Sequence, residues 1–465
     1  MDYISANLDP SKKIPLYLQL HDYIALEISS GRVKEGERLP GKRTASKLLG
    51  ISQSTVDGAY QLLTSEGYVI SKPRSGFVVC RLEQLEAPPV FDASAHLTPK
   101  PTSSAAYSFL TGSIDESLFP FRTWGRLFKD TLYNRPDLLN HGNPCGDDDL
   151  REAISLYLHH GRGVYCHSDN IIIGAGMEYL LGLLCHILKG NKVAVEDPGY
   201  PKIHQILSSG GMDVCFVNLD SQGIDPSALA ESGAGIAYLT PSHQFPTGIV
   251  TPAGRRTELL KWAAEKDDRY IIEDDYDSEF RFDGRPMPCM QSMSPSRVIY
   301  IGTFSRTIAP AIRVAYMALP PKLMAIYKNQ FSFFSSTVSR FEQQTLYRYI
   351  SEGHFGRSLN KMRSQYKLRR DTLMDNISKT FGPSAVMVNT HTGLSFLLKP
   401  DIQKSEREIE ASAQRSGLRI RGLKSYCFSN VCPFEKPCLV LGFGALKTES
   451  IPTAVEMLYS AVYRG

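Results

Sequence analysis

The sequence predicts an α/β protein in two parts, a small N-terminal helical unit that ends in a β-hairpin and a large domain built on a mostly parallel sheet. Residues 1–79 combine apolar side chains at helical spacing with a surplus of basic residues, whereas from residue 107 onward short apolar runs alternate with helical stretches. The length of 465 residues also exceeds one ordinary core, so at least two domains are expected.

Composition and local patterns argue against several classes of protein. The first residues lack the basic start, apolar core and cleavage site of a secretion signal. The most apolar window, residues 171–188, contains Glu178 and His186 and predicts a buried strand, a turn and a core helix rather than a membrane span. The nine cysteines are scattered and never spaced Cys-x-x-Cys, which favours reduced thiols over a metal site. These features predict a cytoplasmic protein without a metal.

The N-terminal unit has the pattern of a helix-turn-helix followed by a wing. In residues 16–28 a leucine or isoleucine recurs every four positions, which predicts a helix that Gly31 can end. The segment "TASKLLG" predicts a short second helix with both leucines inward, and Ser52 is placed to cap a third helix. Residues 68–79 contain two β-prone runs around a basic Pro-Gly turn, which predicts a hairpin.

Charge indicates the partner of this unit. Between Gly31 and Cys80 eight basic residues stand against four acidic ones, a surplus equal to the formal net charge of +4 of the whole chain. A basic helix-turn-helix favours DNA, with the first turn of its second helix in the major groove. A helical protein-interaction module with a solvated basic face is the alternative. The residues predicted to contact bases are Gln53, Ser54 and Thr55, and those predicted to contact phosphates are Lys42, Arg43, Lys47, Lys72 and Arg74.

The segments "LYLQLHDYIALEISSGRVKEGERLP", "GISQSTVDGAY" and "SEGYVISKPRSG" resemble the winged helix of the GntR superfamily. The chain departs from that pattern at Gly41-Lys42-Arg43, where the family often has Ser-Ser-Arg, and at Gln53, where it often has arginine. The resemblance implies operator DNA as a partner. The predicted boundaries are a DNA-binding domain over residues 1–79, a linker rich in Pro, Ser, Thr and Ala over residues 80–106, and a large domain over residues 107–465.

Apolar runs suited to buried strands recur through the large domain, with helical stretches between them. This alternation predicts a parallel α/β sheet covered on both faces, and ligands of such sheets bind beyond the carboxyl ends of the strands. The predicted strands are Ile171–Ile173, Lys192–Val195, Val214–Val217, Ile236–Leu239, Tyr270–Ile272, Val298–Ile301 and Val314–Ala318.

Five polar clusters follow these strands. The segment "GAGMEYL" opens a helix after a strand, so its backbone N–H groups are candidates to hold a phosphate. "EDPGY" brings Tyr200, and "PSHQFPTG" is a polar turn. "YIIEDDYD" brings Glu273, Asp274, Asp275 and Tyr276 to the end of a strand. "IGTFSRTIAPAIR" gathers hydroxyls and guanidiniums, which favours a phosphate site. The carboxylates also suit a divalent metal, although no further acidic partner stands out in the other loops.

The segments "NPCGDDDLREAISLYLHHGRGV", "DPGYP", "EDDYDSEFR" and "GTFSRTIAPAIR" resemble the fold type I pyridoxal-phosphate enzymes of the aspartate aminotransferase family. A GntR winged helix joined to such a domain is the layout of MocR/GabR-type transcriptional regulators. The resemblance implies that pyridoxal 5'-phosphate binds with Asp274 at the ring nitrogen, Tyr276 at the ring hydroxyl and Tyr200 stacked on the ring. It implies a phosphate site made of Ala175, Gly176, Thr303, Ser305 and Arg313.

Arg306 stands where this family has the lysine that forms a Schiff base with the cofactor. A lysine amine loses its proton when burial lowers its pKa, whereas a guanidinium, with a pKa above about 12, does not. With Arg306 at this position we expect no covalent cofactor and no turnover. The Asn-Pro-Thr-Gly arrangement common in aminotransferases is also altered here, to Phe245-Pro246-Thr247-Gly248.

Three hypotheses follow from the sequence. The favoured one is a DNA-binding transcriptional regulator, not an enzyme, whose aminotransferase-like domain senses pyridoxal phosphate or a related small metabolite through non-covalent contacts that include Arg306. The second is an aminotransferase with a relocated lysine, such as Lys322 or Lys328. The third is an inactive scaffold that dimerises the DNA readers. A homodimer is implied by the resemblance, because fold type I sites lie at a dimer interface, and no membrane partner is expected.

Overall fold

The computed structural model describes residues 8–12, 14–73, 76–81, 106–283, 287–429 and 436–464. The chain divides into two compact units, Met1–Thr102 and Ser103–Gly465. Most of the predicted linker lies outside the described residues, so its boundaries stay predictions, and the predicted phosphate contact Arg74 lies outside them as well. Among the helices of these ranges, none is both long enough and apolar enough to cross a membrane.

The N-terminal unit consists of three helices and a hairpin: α1 (Leu16–Ser29), α2 (Lys42–Leu49), α3 (Gln53–Ser65), β1 (Val69–Lys72) and β2 (Gly76–Val79). Leu20 and Ile24 of α1 are fully buried against Val56 and Leu63 of α3 in one core. The side chain of Ser52 accepts a hydrogen bond from the Thr55 backbone N–H at 3.1 Å and so caps α3. The predicted helices, cap and antiparallel hairpin are all present.

One detail of the predicted core is wrong. Leu48 was expected to point inward, but its side chain is 58% exposed, whereas Leu49 is half-buried. Ala45 is the only residue of α2 that is fully buried, and Leu49 lies one helical turn beyond it. Because adjacent residues of a helix point about 100° apart, a helix that touches the core along one narrow line cannot bury both leucines.

The C-terminal unit contains a large sheet and a smaller one. Its strands are β3 (Tyr107–Ser108), β4 (Ile171–Gly174), β5 (Lys192–Asp197), β6 (Asp213–Asp220), β7 (Gly223–Ile224), β8 (Ile236–Leu239), β9 (Tyr270–Asp275), β10 (Val298–Thr303), β11 (Ala315–Ala318), β12 (Ala385–Val388), β13 (Ser395–Pro400), β14 (Leu418–Arg419), β15 (Arg421–Gly422) and β16 (Leu439–Gly442). Its helices are α4 (Phe121–Asn134), α5 (Asp148–Arg162), α6 (Met177–Ile187), α7 (Pro201–Ser209), α8 (Pro226–Glu231), α9 (Ala253–Ala264), α10 (Met290–Met293), α11 (Pro321–Gln330), α12 (Arg340–Ser351), α13 (His354–Phe381), α14 (Glu406–Arg415) and α15 (Ile451–Tyr463).

The large sheet has the strand order β4-β11-β10-β9-β8-β5-β6-β7. All seven predicted strands belong to it, and β10, β9, β8, β5 and β6 run parallel as expected. The prediction of a parallel strand is wrong for β11, which pairs antiparallel with both β10 and β4. Residues 304–314, which join β10 to β11, are too few for the crossover helix that a parallel connection needs, so the chain turns back.

The smaller lobe is a four-stranded antiparallel sheet in the order β12-β13-β16-β15. The helices α13 and α15 pack on one another, and α14 packs on α15 beside the same lobe. A separate two-stranded pairing joins β3 to β14 in parallel. The segment that links β15 to β16 includes a short 3₁₀ turn, Leu423–Tyr426, whose last residue packs on Phe245.

We expect Leu158→Ala to destabilise the C-terminal unit by about 2–5 kcal/mol, because this side chain of α5 is fully buried in the main core and its removal leaves a cavity. The matched control is Leu156→Ala on the same helix, where the side chain is 54% exposed and the expected change is within about 0.5 kcal/mol. Urea unfolding followed by tryptophan fluorescence measures both, since Trp124 and Trp262 lie in this unit. Equal effects of the two substitutions would contradict the assigned packing of α5.

Candidate functional site

A cavity of about 330 Å³ opens beyond the carboxyl ends of the central strands. The ends of β9 and β10 and the first turns of α6 and α7 supply most of its wall, which is where a doubly wound sheet binds ligands. The predicted residues that line it are Tyr200, Asp274, Tyr276, Thr303, Ser305, Arg306 and Arg313. The structure therefore brings residues of all five predicted polar clusters to one place, since Met177 and Glu178 of "GAGMEYL" and Phe245 of "PSHQFPTG" also line the cavity.

The three consecutive acids of β9 do not act together. Successive side chains of a strand point to opposite faces, so Asp274 faces the cavity while Glu273 and Asp275 turn away. Glu273 accepts the backbone N–H groups of Met290 and Gln291 at 2.9 Å each. Asp275 accepts from Nε of Arg162 at 2.7 Å. Within the described ranges, no group of three or more His, Cys, Asp or Glu side chains is arranged to hold a metal ion.

Asp274 has one satisfied oxygen and one unsatisfied one. The hydroxyl of Tyr238, on the neighbouring strand β8, donates to Oδ2, whereas Oδ1 is buried and has no hydrogen-bond partner in the part of the chain that the structure describes. Burial raises the pKa of Asp274 to about 7 against the opposing effect of the Tyr238 hydrogen bond. An unpaired buried oxygen is costly, so this carboxyl is prepared to accept a donor from a ligand.

Aromatic residues form the sides of the cavity. Tyr200 is 43% exposed and meets the ring of Phe245 edge to face, with ring centroids 5.4 Å apart. The ring of Tyr426, from the smaller lobe, packs on Phe245 in the same way at 5.2 Å. The hydroxyl of Tyr276 donates to the backbone oxygen of His243 at 3.0 Å, so in this structure it is turned to the protein. A flat ring bound here would lie among aromatic side chains.

The turn after β10 supplies hydroxyls and a free cation. Thr303 Oγ1 donates to Ser305 Oγ at 2.9 Å and accepts the Ser305 backbone N–H at 3.1 Å, which holds both hydroxyls at the cavity wall. Arg306 is half-buried and lines the cavity. Among the described residues no hydrogen bond or ion pair neutralises its guanidinium. The charge of Arg306 opposes the burial that raises the pKa of Tyr276 well above its usual value.

The predicted phosphate contacts of Ala175 and Gly176 differ from the structure. The Ala175 N–H donates to Thr337 Oγ1 at 2.9 Å, and the Gly176 N–H donates to the Gly174 backbone oxygen at 2.7 Å. Neither amide is available to an anion while these bonds persist, because the Gly176 amide is used within the tight turn before α6 and the Ala175 amide by a residue distant in sequence. Arg313, the third predicted contact at this end, does line the cavity.

Several wall residues are not anticipated from sequence: Thr111, Gly112, Glu178, Lys202, Thr240 and Pro310. Phe245 belongs to the predicted polar turn "PSHQFPTG" and departs from the aminotransferase pattern, and its ring contacts both Tyr200 and Tyr426. Glu178 and Lys202 could have been predicted from sequence, because each lies in the first turn of a helix that begins at the ligand-binding edge of the sheet. Thr111 could not have been predicted from sequence, since it reaches the cavity from a loop after β3.

The relocated lysines proposed from sequence lie elsewhere. Lys322 and Lys328 are exposed residues of α11 and are not part of the cavity wall. Lys202 is the lysine that the described wall contains, and its Nζ lies 3.9 Å from Oε1 of Glu178. It therefore stands at the Arg313 end of the cavity rather than beside Asp274.

The candidate DNA-contacting face is on the N-terminal unit. Gln53 and Ser54 are exposed at the start of α3, and Thr55 is half-buried. The hydroxyls of Ser54 and Thr55 both lie within hydrogen-bond distance of Ser52 Oγ. Lys42 forms an ion pair with Asp57 of α3, so it is engaged within the protein. The predicted phosphate contacts whose side chains are exposed are Arg43, Lys47 and Lys72.

Family comparisons match both parts of the chain. Residues 112–422 match the family described as aminotransferase class I and II, and residues 16–79 match the bacterial regulatory proteins of the gntR family. Over 463 residues, 98% of each chain, this sequence is 36% identical to the HTH-type transcriptional regulator YhdI of Bacillus subtilis. It is 29% identical over 472 residues to the probable rhizopine catabolism regulatory protein MocR of Rhizobium meliloti, covering 98% of this chain and 95% of that protein.

A further relative is the pyridoxine biosynthesis transcriptional regulator PdxR of Corynebacterium glutamicum, 28% identical over 459 residues and 98% of each chain. Among solved structures, the kynurenine aminotransferase of Pyrococcus horikoshii matches with a TM-score of 0.67 at 23% identity, covering 77% of this chain and 91% of that one. The structural likeness confirms the predicted fold type I architecture of the C-terminal unit.

We expect Asp274→Asn to remove a pH dependence of stability. The folded pKa of about 7 exceeds the usual value of 3.8, so the folded state keeps this proton while the unfolded state has lost it. Wild-type stability should therefore fall by roughly 2–3 kcal/mol more than that of the variant as the pH rises from about 5 to about 7.5. Urea unfolding at both pH values measures the difference, with the exposed Asp149→Asn as control. Identical pH dependence of wild type and Asp274→Asn would contradict the assignment.

Proposed function

The chain belongs to the HTH-type transcriptional regulators that join a gntR-family domain to an aminotransferase class I and II domain, and we propose that its large domain senses a small ligand without turnover. The proposed ligand is pyridoxal phosphate or a related phosphorylated or carboxylated metabolite. It is held by ion pairs and hydrogen bonds, with no covalent bond to the protein. We place this activity in the cytoplasm, with the DNA that the N-terminal unit binds.

The observation that carries this proposal is Arg306. It follows β10 in the same cavity as Asp274, at the position that the family resemblance assigns to the Schiff-base lysine. A guanidinium keeps its proton at every physiological pH, so it cannot attack a carbonyl carbon or shuttle a proton. An unpaired cation in a cavity wall is instead suited to bind an anion. Recognition without chemistry is the function that this side chain supports.

The wall residues fit pyridoxal phosphate. Its ring nitrogen carries a donor when protonated, and the unpaired Oδ1 of Asp274 would accept it. Tyr200 would lie along the ring, and Thr303, Ser305 and Arg313 would hold the phosphate. When bound to an enzyme of this fold, the cofactor supplies an electron sink for amino-acid chemistry. Here the residues of this chain would bind and orient it only.

Sensing requires a link between the ligand and DNA. A ligand changes operator occupancy only if it binds two conformational states with different affinities. We propose a homodimer in which the two N-terminal units bind two half-sites of the operator. In each unit Gln53, Ser54 and Thr55 contact bases. Phosphates are contacted by the exposed Arg43, Lys47 and Lys72. In this proposal Lys42 positions α3 through Asp57 and contributes less to phosphate binding.

Covalent binding of pyridoxal phosphate is expected only after Arg306→Lys. Wild type and variant are incubated with pyridoxal phosphate, reduced with borohydride and mapped by peptide mass spectrometry. We expect no adduct in the cavity of wild type and one adduct at residue 306 of the variant, because only a lysine amine can lose its proton. Arg306→Met is the control that removes the charge without supplying an amine, and we expect it to bind the cofactor more weakly in calorimetry. A wild-type adduct at Lys202 would sink the proposal and favour an enzyme.

The salt dependence of DNA binding tests the phosphate contacts. Lys47→Ala and Arg43→Ala should each lower the slope of log K against log salt concentration by about 1, because each removes one neutralised phosphate. Lys42→Ala should change it less, since Asp57 already neutralises that amine. Fluorescence anisotropy of a labelled duplex between about 50 and 200 mM salt gives the slopes. The control is Lys379→Ala on the C-terminal unit, and a slope unchanged by Arg43→Ala and Lys47→Ala would refute the assigned face.

A further inference from the structure

A carboxylate of the protein, that of Glu178, lies beside Arg313, the residue proposed to bind the phosphate. Glu178, in the first turn of α6, accepts a hydrogen bond from Nη2 of Arg313 at 2.5 Å and forms an ion pair with it. The other carboxylate oxygen, Oε1, lies 3.9 Å from Nζ of Lys202. All three side chains line the cavity. The guanidinium that this fold would offer to a phosphate is therefore already neutralised.

The surrounding backbone makes room for this ion pair. A side chain on Gly176 would overlap Nη2 of Arg313 and would lie 3.1 Å from Oε2 of Glu178, so the missing Cβ allows the two groups to meet over the start of α6. Arg313 itself has a φ of 54°, a left-handed conformation that is unfavourable for a non-glycine residue. Strained residues of this kind persist where the structure holds a side chain for binding.

The ion pair between Glu178 and Arg313 is stable at neutral pH but is accessible enough to solvent to separate. Burial alone would raise the pKa of Glu178, but the hydrogen bond and charge of Arg313 outweigh it and lower the pKa below the usual value, so the carboxylate is ionised at neutral pH. Both side chains remain close to half exposed, at 48% for Arg313 and 42% for Glu178. Solvent therefore reaches the pair, and the carboxylate can leave without becoming buried and unpaired.

We propose that Glu178 sets the affinity of the cavity for phosphate-bearing ligands by competing with the phosphate for Arg313. Two anions cannot share one guanidinium without repulsion, so a phosphate enters only when Glu178 withdraws. Lys202 is placed to receive the withdrawn carboxylate. A ligand without a phosphate meets no such competition. This inference rests on the proposed function, because it concerns the ligand of the same cavity.

Such competition suits a sensor. A ligand held by every available cation would leave slowly, whereas a ligand that must displace an internal carboxylate binds more weakly and is released when its concentration falls. Reversible occupancy is what a population shift between two states requires. The acid therefore adjusts the ligand concentration at which the regulator responds.

The test is calorimetric titration of the full chain and its variants with pyridoxal phosphate, pyridoxal and inorganic phosphate. We expect Glu178→Gln to bind pyridoxal phosphate about tenfold more tightly than wild type, with no change for pyridoxal. The matched control Glu152→Gln removes an exposed carboxylate of α5 and should change neither affinity. Circular dichroism and thermal unfolding verify that each variant is folded.

Lys202→Met tests the exchange of partners. In the wild-type background it should weaken binding of pyridoxal phosphate, because the withdrawn carboxylate loses its alternative partner. In the Glu178→Gln background it should have no effect. A loss of affinity that persists in that background would assign Lys202 to the phosphate itself and overturn the exchange.

The outcomes separate this inference from the proposed function. Equal affinity of wild type and Glu178→Gln for pyridoxal phosphate overturns the competition but leaves the proposed ligand intact. If neither protein binds pyridoxal phosphate or pyridoxal, yet Glu178→Gln binds inorganic phosphate more tightly, the competition stands and the proposed ligand is wrong. If no form binds any of the three probes, both ideas fail.

Discussion

The alternation of side chains along β9 is the constraint on which the site depends. It sends Asp274 alone toward the cavity and directs its two acidic neighbours to structural partners on the other face. Tyr238 satisfies one oxygen of Asp274, and no described residue forms a hydrogen bond with the other. A buried carboxyl in this condition favours a bound donor or a bound proton. Both the raised pKa and the ligand chemistry of the cavity follow from this one placement.

The cavity is lined by acidic, basic and aromatic groups. The cavity wall combines the carboxyl of Asp274, the guanidiniums of Arg306 and Arg313, and aromatic rings that include Tyr200 and Phe245. Arg306 lacks a partner among the described residues, whereas Arg313 is paired with Glu178. A ligand that combines a donor, a flat ring and an anion would meet a complementary group at each point. Because the position after β10 is arginine, the same arrangement binds without the means to react.

The segment that links β15 to β16 in the smaller lobe contacts Phe245 of the cavity wall and Asp197 of the large sheet. Tyr426 packs on Phe245, and Asp197 at the end of β5 accepts the backbone N–H groups of Phe428 and Ser429 at 3.0 and 2.8 Å. A ligand that fills the cavity therefore contacts residues supported by both lobes of the C-terminal unit. In a regulator, contacts of this kind are where binding energy can bias one conformation over another.

The sequence by itself determined the two-part organisation, seven of the eight strands of the large sheet and about half of the residues of the cavity wall. It could do so because helical and strand periodicities are local, and because strand ends of a doubly wound sheet converge whatever the loop details. Only the tertiary structure decided which neighbours these residues meet. Two ion pairs depend on packing between separate segments, that of Lys42 with Asp57 and that of Arg313 with Glu178. The internal hydrogen bonds of the Ala175 and Gly176 amides likewise depend on a distant segment and on a tight turn. The spacing of apolar residues along the sequence does not predict such pairings, since they are fixed by the three-dimensional distances between elements.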